Sequence, residues 1–286
     1  MIDEGILAKE SRMIALYGVN AQTSPFLKRL NAAFKHLGLN DYAIGLNIKP
    51  EDFAYMVKGM PNSKVTMALY EPEYQEDVVP LLDVPDGCIQ RSGLCDGAVA
   101  EEGKLVGVCF LPESFERMCA CEGVNLQGKR VLLLGAGSIG KALLPLFGVL
   151  GAGFVEVADT AVERAAETLD AAKASLVGIE TDISWFQKGM AVEMEKYDLI
   201  VNAIDIHAHK DVRLIDPQGE NPYLTLVDFV RGPSAFDTLA AETGCRKIGG
   251  DAFMTAQALS IAHKWLDADI SCDDYEALKQ TARNAE

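Results

Sequence analysis

An apolar run that ends in three glycines constrains this chain more than any other feature. Val131-Leu-Leu-Leu134 leads into Gly135-Ala136-Gly137-Ser138-Ile139-Gly140, and Lys141-Ala-Leu-Leu continues as a helix would. The spacing suits a strand, a tight turn and a helix N-terminus that together hold a dinucleotide. Gly135 permits the turn, Gly137 lets the backbone approach a pyrophosphate, and Gly140 lets the helix lie close to the sheet. The helix start adds free N–H groups and the positive end of its dipole. Glycines at this spacing mean little alone, but here they follow a strand and open a helix, which is the confirming context. A second apolar run, 154–158, ends in Asp159, about 20 residues past the glycines, where a carboxylate accepts from a ribose 2′-OH. A 2′-phosphate would meet repulsion there, and no Arg or Lys lies between Gly153 and Glu163 to receive it. The expected cofactor is therefore NAD rather than NADP. Asp159 with Thr160 can also be read as the cap of the next helix, and the two readings are compatible. Ala203 and Ile204, at the end of an expected strand 198–204, complete the cofactor-binding set.

Bulk properties exclude several partners. A net charge of −16 over 286 residues repels nucleic acid and anionic membrane surfaces. No apolar stretch has the length of a membrane span, and Met1-Ile-Asp-Glu-Gly5 is not the start of a signal peptide. A cytoplasmic protein is expected, with its seven scattered cysteines reduced. Cys119-Ala-Cys121 lacks the second pair that a zinc site needs, so no metal is expected.

Short apolar runs alternate with helical spacing along the chain. Strands are expected at 13–19, 43–48, 64–69 and 105–110, and helices at 25–38, 50–59, 71–82 and about 112–121. Further strands are expected at 131–134, 154–158, 198–204 and 225–229, and a last helix at 252–265 with Asp251 as its N-cap. The alternation implies an α/β architecture. The expected organisation is a substrate-binding domain, 1–122, and a Rossmann-type dinucleotide-binding domain, 123–251.

Several fragments point to a family. Gly18 to Phe34 lies without gaps against G-N-P-I-x-H-S-x-S-P-x-x-H-N-A-A-F, retaining Gly18, Ser24 and Asn31-Ala-Ala-Phe34. Lys64-Val-Thr-Met-Ala-Leu-Tyr70 parallels N-V-T-I-P-H-K, and Gly103 to Pro112 parallels G-k-L-v-G-y-N-T-D-G. Val227-Asp228 and Gln257-Ala258 parallel the signatures v-D and Q-A. In order and spacing these fragments resemble the shikimate/quinate dehydrogenases, over about residues 14–266. The resemblance implies an α/β substrate domain first, a Rossmann-type domain second, and a final helix, 252–286, returning to the first. It also implies hydride transfer on a small hydroxy or keto acid, with Ser24, Thr66 and Gln257 holding substrate.

The departures from that pattern fall on the chemistry. The family's proton-transferring lysine is Tyr70 here, and its assisting aspartate is Leu111. The second serine of its carboxylate-binding pair is Phe26, and the asparagines of A-V-N-T and N-T-D-G are Asp96 and Cys109. A cation is lost and an anion gained, so shikimate itself is not the expected substrate. Tyr70 is one candidate for the proton, though an unperturbed tyrosine titrates near about 10 and needs a cation beside it to act at neutral pH. His207, in Asp205-Ile-His207-Ala-His209 after strand 198–204, is the second, because imidazole titrates near neutrality; a solvated loop is the plainer reading of that segment. Arg231 and Asp96 join the substrate set, Arg231 because its guanidinium fork matches an anionic substrate, with an exposed loop residue as the alternative reading. The alternative to an enzyme is an NAD(H)-binding sensor or partner subunit that no longer catalyses. The partner expected is a small molecule, and assembly as a homodimer stays open.

Overall fold

The computed structural model describes residues 12–204 and 212–283. The chain divides into two units, Met1–Ser114 with Met254–Glu286, and Phe115–Phe253.

In the first unit, β1 (Arg12–Gly18), α1 (Pro25–His36), β2 (Asp41–Asn47), α2 (Pro50–Gly59) and β3 (Val65–Tyr70) alternate as the sequence predicts. Then follow α3 (Gly87–Ser92), β4 (Gly97–Glu101), β5 (Lys104–Val108) and α4 (Leu111–Cys121), the unit boundary falling inside α4. The sheet runs β2-β1-β3-β4-β5, parallel as far as β3 and antiparallel beyond it. Ile14, Ala15 and Leu16 are fully buried in β1, as expected of a strand covered on both faces. Pro25 starts α1 behind Ser24, whose Oγ accepts from the Phe26 N–H at 3.2 Å.

The helix expected at 71–82 is absent. Two short 3-10 turns, Pro72–Tyr74 and Val79–Leu81, stand there instead. Pro80 has no N–H to continue an α-helix and biases Val79 away from helical geometry. The strand expected at 105–110 ends at Val108 and pairs with β4, which periodicity did not reveal. Their turn, Glu102-Gly103, has positive φ at both residues, 51° and 79°, the geometry of tight hairpins.

The second unit holds β6 (Arg130–Leu134), α5 (Ser138–Val149), β7 (Phe154–Asp159), α6 (Val162–Ala172), β8 (Glu180–Trp185), β9 (Met190–Glu193), β10 (Leu199–Asn202), β11 (Ile215–Gln218), β12 (Thr225–Asp228), α7 (Ala235–Thr243) and β13 (Arg246–Ile248). Six strands form a parallel sheet in the order β13-β12-β10-β6-β7-β8, and β9 pairs with β11 apart from it. Val131 to Leu134 are fully buried, the continuous apolar run of a central parallel strand. Together these units form the α/β fold with a Rossmann-type parallel sheet that the sequence implied.

The chain then returns through α8 (Gly250–Leu266) and α9 (Cys272–Arg283). Asp251 lies within the first turn of α8, and α8 is followed by another helix, so Asp251 is not the N-cap of a last helix. Residues from Met254 onward belong to the first unit, where Arg29 donates to the Thr255 hydroxyl and His36 meets Asp274 at 2.9 Å. Cys88, Cys95, Cys109, Cys119 and Cys245 are free thiols, whereas Cys121 and Cys272 are disulfide-bonded, which overturns the expectation of seven reduced cysteines. No helix among the described residues is long and apolar enough to cross a membrane.

Asn31 ties α1 to the open side of β2. Its amide donates to the Ala43 carbonyl at 2.9 Å and accepts from the Ala43 N–H at 2.8 Å. Asn31→Ala strands both groups on a buried residue and should cost about 1–3 kcal/mol, read as a lower urea midpoint. An unchanged midpoint would show that water replaces the amide.

Candidate functional site

The parallel sheet reverses its winding at β6, which has β7 on one side and β10 on the other. Ligands of such sheets bind outside the strand ends at that switch point. Gly135 leaves β6 with φ +101°, and a Cβ there would lie 2.9 Å from the Ala203 carbonyl carbon and the Ile204 nitrogen. A Cβ on Gly140 would lie 2.1 Å from the Gly135 oxygen, so the first turn of α5 reaches the loop only because that carbon is missing. A Cβ on Gly137 would meet nothing within 4 Å, which leaves room over the loop for a bulky group. Gly137 is the N-cap of α5, Ser138 begins the helix, and no side chain caps it. An open, uncapped helix start beside a tight glycine turn fits a pyrophosphate.

Asp159 ends β7 and is almost wholly buried. Its Oδ2 accepts from the Ala136 N–H at 2.7 Å, and its Oδ1 from the Ala161 N–H at 2.9 Å and from Arg164. Burial pushes its pKa up, but the Arg164 hydrogen bond and the two N–H groups outweigh that and hold it below the usual carboxylate value. The N-cap residue of α6 is Ala161, with no side-chain cap. Asp159 therefore braces the glycine loop rather than capping that helix in the usual manner. Thr160 lies beside it, 3.4 Å from the Arg164 guanidinium. Arg164 lies one residue beyond the cation-free stretch from Gly153 to Glu163. Its place in the first turn of α6, directly after Asp159, was the available signal.

The other side of the loop rests on Asn202, whose Oδ1 accepts from the Ile204 N–H at 3.2 Å. Its amide reaches Asp228 Oδ1 at 3.4 Å, and that oxygen also accepts from the Val230 N–H at 3.0 Å. Asp228 Oδ2 is buried without a hydrogen-bond partner among the described residues. Arg231 is half-buried three residues on. His207 and its neighbours, 205–211, lie outside the described residues.

In the first unit, Tyr70, Asp96, Gln257 and Ser24 gather around the end of β3, whereas Thr66 lies near its start. The Tyr70 N–H donates to the Asp96 carbonyl at 3.0 Å, which joins β3 to the start of β4. The Tyr70 ring meets Tyr17 and Phe53 edge-on, each at 5.9 Å between centroids. Its hydroxyl is buried and has no hydrogen-bond partner among the described residues. Burial, then Cys95 and Tyr17, push the phenol well above 10, so it stays protonated at neutral pH. Ser24 donates to Glu71, a buried carboxylate that sequence reasoning missed. Thr66 donates to the Met13 carbonyl at 3.2 Å. Phe26 and Leu111 are buried and apolar.

Asp96 is the most unusual group here. It is 3% exposed, with Oδ1 accepting from the Phe110 N–H at 2.7 Å and Oδ2 from Gln257 Nε2 at 3.2 Å. Burial pushes its pKa up to about 7 against the pull of those two donors, and Asp86 adds to the rise.

No family model matches the chain. A shikimate dehydrogenase (NADP(+)) of Moorella thermoacetica is 27% identical over 257 residues, covering 88% of this chain and 87% of that protein. The chain is similar over most of its length to proteins named shikimate dehydrogenase. Solved structures agree on the fold. Ligand-free 5-ketofructose reductase of Gluconobacter sp. strain CHM43 matches with a TM-score of 0.80 at 18% identity, covering 98% of this chain and all of that one. Shikimate dehydrogenase from Aquifex aeolicus matches at 0.74 and 19%, covering 96% of this chain and 99% of that one.

Two outcomes follow from this geometry. Gly140→Ala forces α5 off the Gly135 carbonyl, so it should destabilise the protein by about 1–3 kcal/mol and abolish dinucleotide binding. Thermal melts and calorimetric titration read these separately, and retained affinity would show that the loop yields. The second concerns pH. Asp96 binds a proton more readily folded than unfolded, where an aspartate titrates near about 4. Its contribution to stability is therefore lost as pH rises from about 4 to about 7. Asp96→Asn should flatten that part of the stability–pH curve in urea titrations between pH about 4 and about 7; an identical slope in both proteins would show that the carboxyl titrates normally.

Proposed function

We propose that the protein is a nicotinamide-dinucleotide-dependent oxidoreductase that interconverts hydroxyl and keto forms of a small hydroxy acid other than shikimate. The observation that carries the reading is the glycine loop at the switch point, braced by Asp159 and fitted to a pyrophosphate. The relationship to proteins named shikimate dehydrogenase supports the reaction class. When bound, the dinucleotide supplies the hydride acceptor or donor. Residues 135–140 hold its phosphates, with Ala203 and Ile204 closing the loop's other side.

For the cofactor we infer NAD. Asp159 is held ionised at the strand end, and a carboxylate there favours a free ribose hydroxyl over a 2′-phosphate. Arg164 is the counterargument, since guanidinium suits phosphate, but it is already engaged by Asp159. The substrate side is served by Gln257, Asp96 and Ser24, all in the first unit. Tyr70 enters as a neutral hydrogen-bond donor rather than a base, because nothing recorded around it lowers its pKa. Phe26 and Leu111 leave apolar surface where the family has polar groups, which disfavours shikimate.

Calorimetric titration tests the cofactor. NAD⁺ should bind at least tenfold tighter than NADP⁺, and Asp159→Ser, by releasing Arg164, should shift that ratio toward NADP⁺ by tenfold or more, about 1.4 kcal/mol. A spectrophotometric screen of hydroxy acids for NADH formation tests the reaction. Tight binding with no turnover across the screen would favour a non-catalytic NAD(H) sensor, and no binding of either nucleotide would remove the cofactor reading.

A further inference from the structure

We propose that Cys88 and Cys109 form a dithiol site that hydroperoxides oxidise to a disulfide within the first unit. Its residues and the contacts that place them lie within residues 84–110, so the site stands whether or not the oxidoreductase reading holds.

One carboxylate sets the two thiols against each other. Asp86 Oδ1 accepts from the Ile89 N–H at 2.8 Å and so caps α3, which carries Cys88 in its first turn. Asp86 Oδ2 accepts from the Cys109 N–H at 3.1 Å. The same two segments are tied again at Val84, whose carbonyl accepts from the Gly107 N–H at 2.9 Å. A Cβ on Gly107 would lie 2.7 Å from Ile89 Cδ1, so α3 packs tightly on β5. Between these ties the Cys109 thiol donates to the Cys88 sulfur. Two cysteines can be bridged only where their backbones are already close, and here one side chain holds both. Cys109 stands where the family pattern has an asparagine, so the pair is a feature of this chain.

The two sulfurs differ as an attacking and a resolving cysteine must. Cys88 is half-buried, whereas the other free thiols, Cys95, Cys109, Cys119 and Cys245, are buried. The hydrogen bond from Cys109, with help from Ser92, pulls the Cys88 thiol below its ordinary value against burial and the charges of Asp86 and Asp96. That same bond, together with burial, pushes the Cys109 thiol up. Cys95 does not compete, because burial pushes its thiol up and its Sγ donates to the Gly97 carbonyl at 3.0 Å.

The chemistry runs in two steps. The Cys88 thiolate attacks the hydroperoxide, the O–O bond breaks, and Cys88 becomes a sulfenic acid while the other oxygen leaves as water or an alcohol. Cys109 then attacks the Cys88 sulfur, the S–S bond forms, and the Cys109 proton leaves with the hydroxyl as water. The two thiols lose two electrons in all, and the peroxide gains them.

Peptide mapping tests this on the full chain. Protein treated with excess hydrogen peroxide, alkylated with iodoacetamide and digested without reductant should yield two peptides joined through Cys88 and Cys109, separable by dithiothreitol. In untreated protein, iodoacetamide should modify Cys88 at least about tenfold faster than Cys95 or Cys119. Cys109→Ser should leave Cys88 as a sulfenic acid that dimedone traps, and Cys88→Ser should leave Cys109 unmodified at the same peroxide dose. Asp86→Ala should slow closure of the disulfide without slowing alkylation of Cys88, because it frees both segments yet removes a negative charge beside the thiol. The first two measurements need no substitution, so a variant that misfolds takes nothing from them. Wild-type Cys88 recovered as a sulfinic or sulfonic acid, joined to a cysteine other than Cys109, or unmodified would overturn the site, as would a Cys88 alkylated no faster than Cys95.

Discussion

Everything the second unit offers a ligand depends on the contact between the first turn of α5 and the Gly135 carbonyl. With no Cβ at Gly140, the helix start comes to rest directly on the loop that leaves β6. That contact fixes the loop from below, while the Asp159 carboxylate fixes it from the side through the Ala136 N–H. Asn202 does the same for the adjacent loop through Ile204. The N–H groups at the start of α5 are therefore positioned before any ligand arrives, and little ordering cost remains for binding.

Two devices in this structure place carboxylates where they cost something to keep. Asp159 is compensated by a cation and two backbone donors and stays ionised. Asp96 has two donors, no recorded cation, and near-complete burial, so its charge is only marginally held. The contrast follows from neighbours rather than from residue type: the same side chain is a fixed anion in one unit and a group close to its titration point in the other.

The sequence made the parallel sheet and the cofactor loop legible because both rest on local rules. Continuous apolar runs such as 131–134 mark buried strands, and glycine spacing reports a backbone geometry that few other residues permit. The stretch 71–82 misled because its apolar spacing ignored Pro80, and β4 was missed because Gly97-Ala-Val-Ala-Glu101 carries a weak β signal that only pairing with β5 makes a strand. Resemblance to the family implied that Asp96, Thr66 and Gln257 all serve the substrate, but it could not show the bond between Asp96 and Gln257 or the burial of the Tyr70 hydroxyl. Those depend on side-chain direction across elements far apart in the chain. Arg164 and Glu71 were missed for the same reason, since each matters through the residue it meets and carries no motif of its own.

The link from Asn31 to Ala43 bears on how this sheet behaves toward other chains. β2 is one edge of the five-stranded sheet, and Asn31 occupies both backbone groups of Ala43 on the side away from β1. At the opposite edge, Val84 bridges to β5, accepting from the Gly107 N–H at 2.9 Å and donating to the Leu105 carbonyl. Exposed edges are templates on which foreign strands add. Here each border is interrupted by a group from the same chain, Asn31 at Ala43 on one side and Val84 along β5 on the other, so neither edge of this sheet presents an uninterrupted row of donors and acceptors.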